Sequence, residues 1–382
     1  MKKLKVMLVL PLLAFLVAYT AIPEKVTIMQ GQRLDFRWGI TAVASTENTG
    51  SFDCRVKLFN FIPIKTVNVS VMPSRYVIPS GEAIGVKIHT DGILVVGMSD
   101  VLSENGKLCE PAKKAGISIG VRIIAVNGDK ITNTGGFCKK VNDCGGNAEL
   151  SIGRNDNVMN VRVNAVYSPQ SKSYKVGLWV RDSTAGIGTL TFYDPENSTF
   201  AALGHGICDS DTKEIMTVKR GSVNMCNIRR VEKGEDGTPG ELVGDFSGKE
   251  LGDVITNCQV GIYGHANHIP EKEPIKVASR FQVKEGKAEI LCDVDGTGPK
   301  TYEIEITKVS KSPKITNKSF VLKVTDPNLI EKTGGIVQGM SGSPILQNDK
   351  LVGAVTHVFV NDPTKGYGIF IENMLAEAEK VK

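Results

Sequence analysis

Two residues in the second half of the chain have the types and the setting for acyl-transfer chemistry. His205 stands between glycines in the run LGHGI, after a predicted hairpin with strands at residues 186–193 and 198–203. An imidazole with an ordinary pKa near 6.5 takes up and returns a proton around neutral pH. Ser341 stands in the run GMSGS, where glycines let the backbone bend sharply and a carbonyl group approach closely. The pair predicts a serine nucleophile, Ser341, with His205 as its general base.

The backbone around the serine offers a second catalytic feature. The amides of Gly339 and Ser341 can converge on the oxygen that becomes negative in the transition state, and each such donor is worth about 10²–10³ in rate. A carboxylate is also expected, because it would hold the imidazole in its working tautomer. Eight aspartates lie between His205 and Ser341, and their positions alone leave the choice among them open.

The remaining histidines and the cysteines predict no further chemistry. His89, His265, His268 and His357 are expected to be structural or merely exposed. The two histidines of the run HANH lie near Cys258, but no second clear ligand pair accompanies them, so no metal site is predicted. The proposed chemistry needs no metal and no organic cofactor. Two cysteines at positions 138 and 144 are near enough to bridge a small loop, although free buried thiols fit the sequence equally well.

Composition bounds the class of protein that carries these residues. The chain has 382 residues, and 46 basic against 41 acidic side chains leave a net charge of +5. This weak excess argues against a nucleic-acid partner or a polybasic membrane patch. Forty glycines are more than usual and indicate many tight turns, hence a mainly β architecture. The length predicts two domains or more.

The amino end has the order of charges and apolar residues that is typical of an export signal. Lys2, Lys3 and Lys5 precede an apolar run that extends to about Ile22. Residues 1–22 are therefore interpreted as a signal peptide or a membrane anchor, and the sequence leaves both open. A buried amino-terminal helix is the alternative. Residues 23–76 follow as a β-rich region without a chemical motif.

The next segment, residues 77–166, resembles a PDZ domain. It contains a predicted strand at residues 92–97, a short helix from Pro111 to Gly116 and a strand at residues 120–128 that ends in an Asn-Gly turn. The resemblance implies capture of an extended peptide along a sheet edge, with the loop residues Ile84, Gly85 and Val86 at the binding site. The alternative is a β-rich module that only separates its neighbours. A polar stretch at residues 168–173 is interpreted as a linker to residues 174–382.

The region around Ser341 resembles the chymotrypsin-like serine peptidases. Their nucleophile lies in the pattern Gly-x-Ser-Gly-Gly-Pro, and this chain has GMSGSP, with Ser343 in place of a glycine. The resemblance implies a mainly β fold, with a PDZ-like domain followed by a chymotrypsin-like double β-barrel peptidase domain at residues 174–382. It favours Asp245 or Asp253 as the acid. The strand at residues 353–357 is a predicted wall of the substrate pocket.

The whole layout resembles the stage IV sporulation protein B family of serine peptidases from spore-forming bacteria. The runs ALGHGICD and GIVQGMSGSPI carry this resemblance, together with the amino end and the PDZ-like segment. It favours Asp326, in the run KVTDP, as the catalytic acid. It also implies an exported or anchored enzyme in the space between forespore and mother cell. Its implied partners are protein substrates including itself, the extracytoplasmic part of a membrane regulator whose cleavage triggers sigma-factor activation, and a protein inhibitor.

Two other functions remain open at this stage. A non-catalytic adaptor would use only the PDZ-like module, although the intact His205 and Ser341 argue against it. A stress-type PDZ serine protease of protein quality control would share both modules, but such enzymes usually place the peptidase before the PDZ domain.

Overall fold

The structure, a computed structural model, describes residues 19–20, 22, 24–30, 40–42, 49–59, 61–154, 157–246, 248–310 and 315–381. The predicted signal or anchor, residues 1–22, lies outside this part of the chain except for residues 19, 20 and 22. Within the described ranges, no helix combines the length and the apolar character that crossing a membrane requires.

Strands dominate the described chain, as the glycine content and the alternating patterns predict. Up to residue 175 the elements are β1 (Lys25–Met29), β2 (Ile40–Ala42), β3 (Gly50–Leu58), β4 (Ile62–Met72), β5 (Tyr76–Pro79), β6 (Ala83–Met98), β7 (Val101–Leu102), β8 (Leu108–Cys109), α1 (Pro111–Lys114), β9 (Arg122–Val126), β10 (Asp129–Lys130), α2 (Thr134–Asp143), β11 (Asn147–Arg154), β12 (Asn157–Asn164), β13 (Val166–Ser168) and β14 (Ser173–Lys175).

The second half of the chain continues in the same way. Its elements are β15 (Leu178–Asp194), β16 (Thr199–Ala202), β17 (Arg220–Met225), β18 (Asn227–Glu232), β19 (Glu241–Asp245), β20 (Glu250–Cys258), β21 (Gly261–Ala266), β22 (Ile275–Lys276), β23 (Gly286–Cys292), β24 (Lys300–Val309), β25 (Phe320–Val324), α3 (Pro327–Thr333), β26 (Pro344–Gln347), β27 (Lys350–Phe359), β28 (Asp362–Phe370) and α4 (Ile371–Ala378), with a final 3-10 turn at Glu379–Val381.

The first four strands form a separate sheet in the order β1-β4-β3-β2, in which β1 runs parallel to β4. Val67, Val69 and Val71 alternate along β4 and bury their side chains in one small core. Alternate residues of a strand face the same side, which is why this pattern buries one face of the sheet.

Two closed six-stranded barrels confirm the predicted double-barrel fold class. In the first barrel, β6, β17, β20, β21, β16 and β15 follow one another, and β15 closes the ring by pairing with β6. The second barrel has the order β23-β24-β25-β28-β27-β26 and is also closed. Each closed ring of strands encloses its own apolar core.

The helix α4, near the carboxyl end, packs against both barrels. Ile371 and Met374 of α4 are fully buried in a cluster that also contains Tyr263 of the first barrel and Ile369 of the second. Burying each large apolar side chain of this kind contributes about 1.5–3 kcal/mol. The cleft between the barrels is therefore held at a fixed geometry by a shared core.

The largest difference between the structure and the predicted domain boundaries lies at β6, because this one strand belongs to two units. Its first part pairs with β15 and β17 inside the first barrel, from Ala83 to His89. Its second part pairs with β9 at Ile93 and Leu94. Residues 93–180 share one separate apolar core, and we call them the PDZ-like unit after the predicted resemblance, which the fold does not by itself establish. This unit is inserted between two neighbouring barrel strands, and the first barrel begins long before residue 174. The predicted linker at residues 168–173 forms the turn of the hairpin β13–β14.

Inside the PDZ-like unit, two local predictions are confirmed. The helix predicted from Pro111 is α1, and Gly116 follows it with φ of 76°. The Asn-Gly turn joins β9 to β10, with positive φ at both Asn127 and Gly128. The sequence analysis did not predict α2, whose cap is the side chain of Asn133 accepting a hydrogen bond from the Gly136 amide.

Candidate active site

His205 is positioned by the tight turn that ends β16. Leu203 and Gly204 have φ of 70° and 67°, so the chain reverses immediately after the strand. A Cβ atom at Gly204 would lie 3.0 Å from Cγ2 of Thr356 in the second barrel. Glycine therefore permits both the left-handed backbone and the close approach of the two barrels at this point.

The imidazole of His205 has a defined tautomer. Its Nδ1 atom lies 3.0 Å from the carbonyl oxygen of Gly206. A carbonyl oxygen only accepts hydrogen bonds, so Nδ1 carries the proton and Nε2 keeps its lone pair. Burial lowers the pKa of His205, and the bond to Gly206 opposes that shift. Nε2 is therefore available as a base at neutral pH.

Ser341 lies in the segment between α3 and β26, residues 334–343, which we call the nucleophile loop. Two buried threonines of β15 hold this loop through their side chains. Thr189 Oγ1 donates to the carbonyl oxygen of Gly339, and Thr191 Oγ1 donates to that of Gly342, each at 2.8 Å. The amide of Thr189 also donates to the carbonyl oxygen of Ser341 at 2.9 Å. The first barrel thus fixes the backbone of the loop on both sides of Ser341.

The two predicted catalytic side chains contact adjacent residues of β27. The rings of His205 and His357 have centroids 4.9 Å apart. The Ser341 hydroxyl donates to the carbonyl oxygen of Thr356 at 2.6 Å and is not hydrogen-bonded to His205. The fold therefore brings the pair to one cleft between the barrels. A bond between them requires the Ser341 side chain to leave Thr356 and turn toward the imidazole.

The backbone near Ser341 has the donors that the sequence analysis expects. Gly339 has φ of 100°, in the region that favours glycine. The intervening Met340 amide donates to Val337 within the loop. Among the described residues, no acceptor receives a hydrogen bond from the amides of Gly339 or Ser341. Both amides are consequently available to an oxyanion.

Asp326 has a different role from the one predicted. Its carboxylate caps α3 by accepting hydrogen bonds from the amides of Asn328, at 2.9 Å, and Leu329, at 3.1 Å. It also accepts one from the amide of Glu303 at 3.3 Å. The Asp-Pro pair thus begins a helix, and contrary to the prediction this carboxylate is not bonded to His205.

The two alternative aspartates are not hydrogen-bonded to the imidazole either. Asp245 pairs with Arg229 in the hairpin β18–β19, with 2.8 Å between Oδ2 and Nε. Asp253 lies exposed on β20, opposite His265. In the described part of the chain, no carboxylate is hydrogen-bonded to His205. The carbonyl oxygen of Gly206 occupies the position at Nδ1 that a carboxylate would otherwise take.

His357, expected to be structural, is instead a neighbour of the base. Its Nδ1 atom is buried and has no hydrogen-bond partner among the described residues. Burial, the nearby His205 and the charge of Lys318 lower the pKa of His357 to about 4. A neutral imidazole therefore packs against His205 at neutral pH. The one sequence signal for this placement is that His357 ends the strand predicted as a pocket wall.

A second residue that the sequence analysis missed holds the chain just after His205. The side chain of Asn257, at the end of β20, accepts a hydrogen bond from the Ile207 amide and donates to the carbonyl oxygens of Ile207 and Met216, each at 2.8 Å. We call residues 203–216 the histidine loop. Asn257 uses both its acceptor and its donor atoms. It therefore holds the beginning of the histidine loop, at Ile207, and its end, at Met216.

A cavity of about 300 Å³ opens beside His205. His205 and His357 form one side of it, and Gln259 and Asn317 contribute polar groups to its lining. It is concave and mixed in polarity, as sites that bind a side chain of a substrate usually are. In the ranges that the structure describes, no three His, Cys, Asp or Glu side chains are grouped to hold a metal ion.

The predicted peptide-binding loop of the PDZ-like unit lies in the first barrel instead. Ile84, Gly85 and Val86 belong to β6 and are hydrogen-bonded between β15 on one side and β17 on the other. A Cβ at Gly85 would lie 1.9 Å from Cβ of Phe246, so this glycine serves close packing. With both strand edges occupied, these residues cannot add a peptide strand.

The cysteines do not form the bridge that the sequence left open. Cys138 and Cys144 are both free thiols.

One protein family and several solved structures are similar to this chain. The family description SpoIVB peptidase S55 matches residues 172–375, more than half of the chain, including His205 and Ser341. The active form of the Rv3671c protease from M. tuberculosis is 13% identical, with 52% of this chain and 74% of that chain covered and a TM-score of 0.34. The HtrA-type protease AlgW with a decapeptide is 10% identical, with 53% and 54% covered and a TM-score of 0.32.

At these identities and TM-scores, the similarity to solved structures adds nothing to what the strand topology already shows. A search among curated proteins found no significant match. The family match confirms the resemblance drawn from the two motifs, and the chain is a serine endopeptidase that belongs to the SpoIVB peptidase family.

Proposed function

We propose that this peptidase cleaves proteins with Ser341 as nucleophile, His205 as general base and the amides of Gly339 and Ser341 as oxyanion hole. One observation carries the assignment. The imidazole with its free Nε2 and the serine hydroxyl come from opposite barrels, yet they contact adjacent residues of β27. Two such groups in one cleft are what acyl transfer requires.

The mechanism follows from the tautomer and the hydrogen bonds. His205 Nε2 takes the proton from Ser341 as Oγ attacks the substrate carbonyl carbon, and the two amides hold the oxygen that becomes negative. The imidazolium then donates its proton to the leaving amine. Water attacks the acyl-enzyme by the same path and releases Ser341. Throughout, the Gly206 carbonyl oxygen keeps the proton on Nδ1, which is the orienting role that a carboxylate has in a Ser-His-Asp triad.

The second barrel offers the place where a substrate backbone binds. β26 pairs with β27 only as far as Ala354, and the next residue, Val355, is hydrogen-bonded to Gly342 and Ser343 of the nucleophile loop. From Thr356 onward, β27 has no strand partner on that side among the described residues. An extended peptide can add there by main-chain hydrogen bonds. A substrate amide that donates to the Thr356 carbonyl oxygen would replace the bond from Ser341. Substrate binding would then release the nucleophile toward His205.

Labelling with a fluorophosphonate tests the assignment of the nucleophile. Wild type should become labelled on Ser341, and Ser341→Ala should not. Ser343→Ala is the matched control, because this neighbouring hydroxyl is buried and donates to the Met340 carbonyl oxygen at 2.6 Å. Equal labelling of wild type and Ser341→Ala, or no labelling of a folded wild type, would contradict the proposal.

The wider role proposed for the enzyme is signalling between compartments of a sporulating cell. The amino-terminal sequence and the family match support an exported or membrane-anchored enzyme that acts in the space between forespore and mother cell. There it would cleave itself near the amino end and then cut the extracytoplasmic part of a membrane regulator, which leads to sigma-factor activation. A protein inhibitor would be a further partner.

Mixing two forms of the chain tests self-cleavage. Active wild type should cut full-length Ser341→Ala chains near the amino end, and Ser341→Ala alone should stay intact. Expression with and without residues 1–22, followed by fractionation, tests export. If the Ser341→Ala chain supports the same signalling in cells as wild type, the non-catalytic adaptor function is correct instead.

A further inference from the structure

The strand β15 begins in the PDZ-like unit and ends in the first barrel. Residues Leu178 to Arg181 pair antiparallel with Leu94 to Met98, the part of β6 whose other side pairs with β9. Leu178 and Val180 also pack against the apolar core of the PDZ-like unit. The start of β15 is therefore the edge strand of the sheet in that unit.

Asp182, the residue of β15 that follows Arg181, is hydrogen-bonded to α2 of the same unit. The carboxylate of Asp182 accepts a hydrogen bond from the amide of Thr134, the first residue of α2, at 2.8 Å. Its carbonyl oxygen accepts one from the hydroxyl of Thr90 on β6. The sheet edge beside α2, where a peptide would be expected to bind, is thus filled by the chain itself.

Arg181 projects from this edge onto the histidine loop. One guanidinium nitrogen, Nη1, donates to the carboxylate of Asp209 and to the hydroxyl of Ser210 at 3.0 Å. The other, Nη2, donates to the carboxylate of Asp211 at 2.8 Å. A planar fork that binds three consecutive residues fixes their direction as well as their distance.

Asp209, the buried partner of the Arg181 guanidinium, holds the turn of the histidine loop. The Asp209 side chain is fully buried, and it accepts hydrogen bonds from the amides of Asp211 and Thr212. Its backbone amide and carbonyl bond to Glu214 and Lys213 across the turn. Removal of the arginine would leave this buried carboxylate without its counter-charge, four residues after His205. The turn would then move, because an unpaired buried charge is costly.

We propose that Arg181 is a positioning residue for His205, and that the PDZ-like unit sets its place by holding the start of β15 in its own sheet. The inference rests on the proposed catalytic roles and deepens them. The PDZ-like unit then contributes to catalysis through Arg181, which holds the histidine loop in place. The same strand reaches the nucleophile loop through Thr189, so β15 connects both catalytic loops to one unit.

Replacement of Arg181 in the full-length chain tests the inference. Arg181→Met keeps the length of the side chain and removes the fork, and kcat should fall about 10-fold to 100-fold, since a misplacement near 1 Å costs about that much. KM for a short peptide should change little. Arg181→Lys retains the charge and should restore part of kcat. Hydrogen exchange of the amides at residues 207–216 should be faster in Arg181→Met than in wild type.

The matched control is Arg162→Met, at an exposed position on the edge strand β12 of the same unit. The inference would be overturned if Arg181→Met lost no more kcat than Arg162→Met does. It would also be overturned if the loss of kcat in Arg181→Met were explained by a smaller folded fraction, as measured by thermal unfolding. If Arg181→Met does not fold, Asp211→Asn removes only the half-exposed outer ion pair and should lower kcat about twofold to fivefold. An unchanged kcat in that variant would also overturn it. Failure of wild type to label at Ser341 would instead contradict the proposed function.

Discussion

The two buried threonine hydroxyls that hold the nucleophile loop allow a direct test of the oxyanion hole. Thr189→Val keeps the shape of the side chain and removes its 2.8 Å hydrogen bond to the carbonyl oxygen of Gly339. Thr189 is fully buried, so this carbonyl oxygen loses a donor that water cannot replace. The free energy of unfolding should fall by about 1–3 kcal/mol. Tm should fall by about 1–2 °C for each kcal/mol, because the entropy of unfolding grows with the length of the chain.

The effect on activity should exceed what this loss of stability explains. The Gly339 carbonyl belongs to the peptide plane that lies between the amides of Gly339 and Ser341. When that plane is released, both amides can turn away from the oxyanion. Complete loss of one donor costs about 10²–10³ in rate. We therefore expect kcat to fall about 10-fold to 100-fold in Thr189→Val, with KM for a short peptide nearly unchanged.

Thr191→Val is the matched comparison. This threonine is equally buried, and its hydroxyl makes a hydrogen bond of the same length to Gly342, beyond Ser341. The two variants should lose similar stability in thermal unfolding, and Thr191→Val should keep more of its kcat. The measurement is the steady-state kcat of Thr189→Val and Thr191→Val at a temperature where both variants are folded. Equal losses of kcat, or no loss in Thr189→Val, would refute the assignment of the oxyanion hole.

Three further outcomes are expected. Asp326→Asn should keep kcat, because asparagine caps a helix as well as aspartate does. Its free energy of unfolding should fall by about 0.5–1.5 kcal/mol, because asparagine has no second acceptor for the Glu303 amide. A loss near 10⁴ in kcat would show instead that the carboxylate belongs to a triad. The midpoint of the acid limb of kcat/KM should lie below pH 6.5, because burial lowers the pKa of His205 and its neutral form persists to lower pH; a midpoint at or above 6.5 would contradict this. His357 should make folding less stable as the pH falls from 6.5 to about 4, since only the unfolded chain then binds its proton. In His357→Phe, the difference in Tm between pH 7 and pH 5 should therefore be smaller than in wild type.

The catalytic pair could be predicted from the sequence because its signals are local. Glycines on both sides of His205 and of Ser341 mark turns that expose a side chain, and alternating residues mark the strands that lead to them. The same local rules predicted the helix at Pro111 and the turn at Asn127. Each of these features depends on contacts between residues a few positions apart.

The third member of the site could not be predicted in this way. Asp326 has a carboxylate and a suitable place in the chain, yet its nearest donors are the first amides of α3. Whether a carboxylate meets an imidazole or a helix end depends on where the strands before it finish in space. His357 was missed for the same reason, since its contact with His205 arises only when the barrels are packed together.

The PDZ-like segment shows the same division between local and long-range information. The strand β6 is continuous from Ala83 to Met98, whereas the sequence analysis predicted a strand only at residues 92–97 and a loop at Ile84 to Val86. The strand's partners change along its length from β17 to β9, and β15 accompanies it on both sides of that change. Residue types do not specify which distant strand pairs with which half, so Ile84 to Val86 were placed in the wrong unit.

By itself, the sequence determined the chemistry that this chain can perform, because residue types and turn-forming glycines act over short distances. The tertiary structure alone decided which groups share the cleft. Gly206 rather than an aspartate meets Nδ1 of His205, and the Ser341 hydroxyl rests on Thr356. The first contact joins neighbouring residues, and the second lies within the second barrel. What depends on the packing of the two barrels is the meeting of His205 with His357 across the cleft, which joins residues far apart in the chain and which no local pattern encodes.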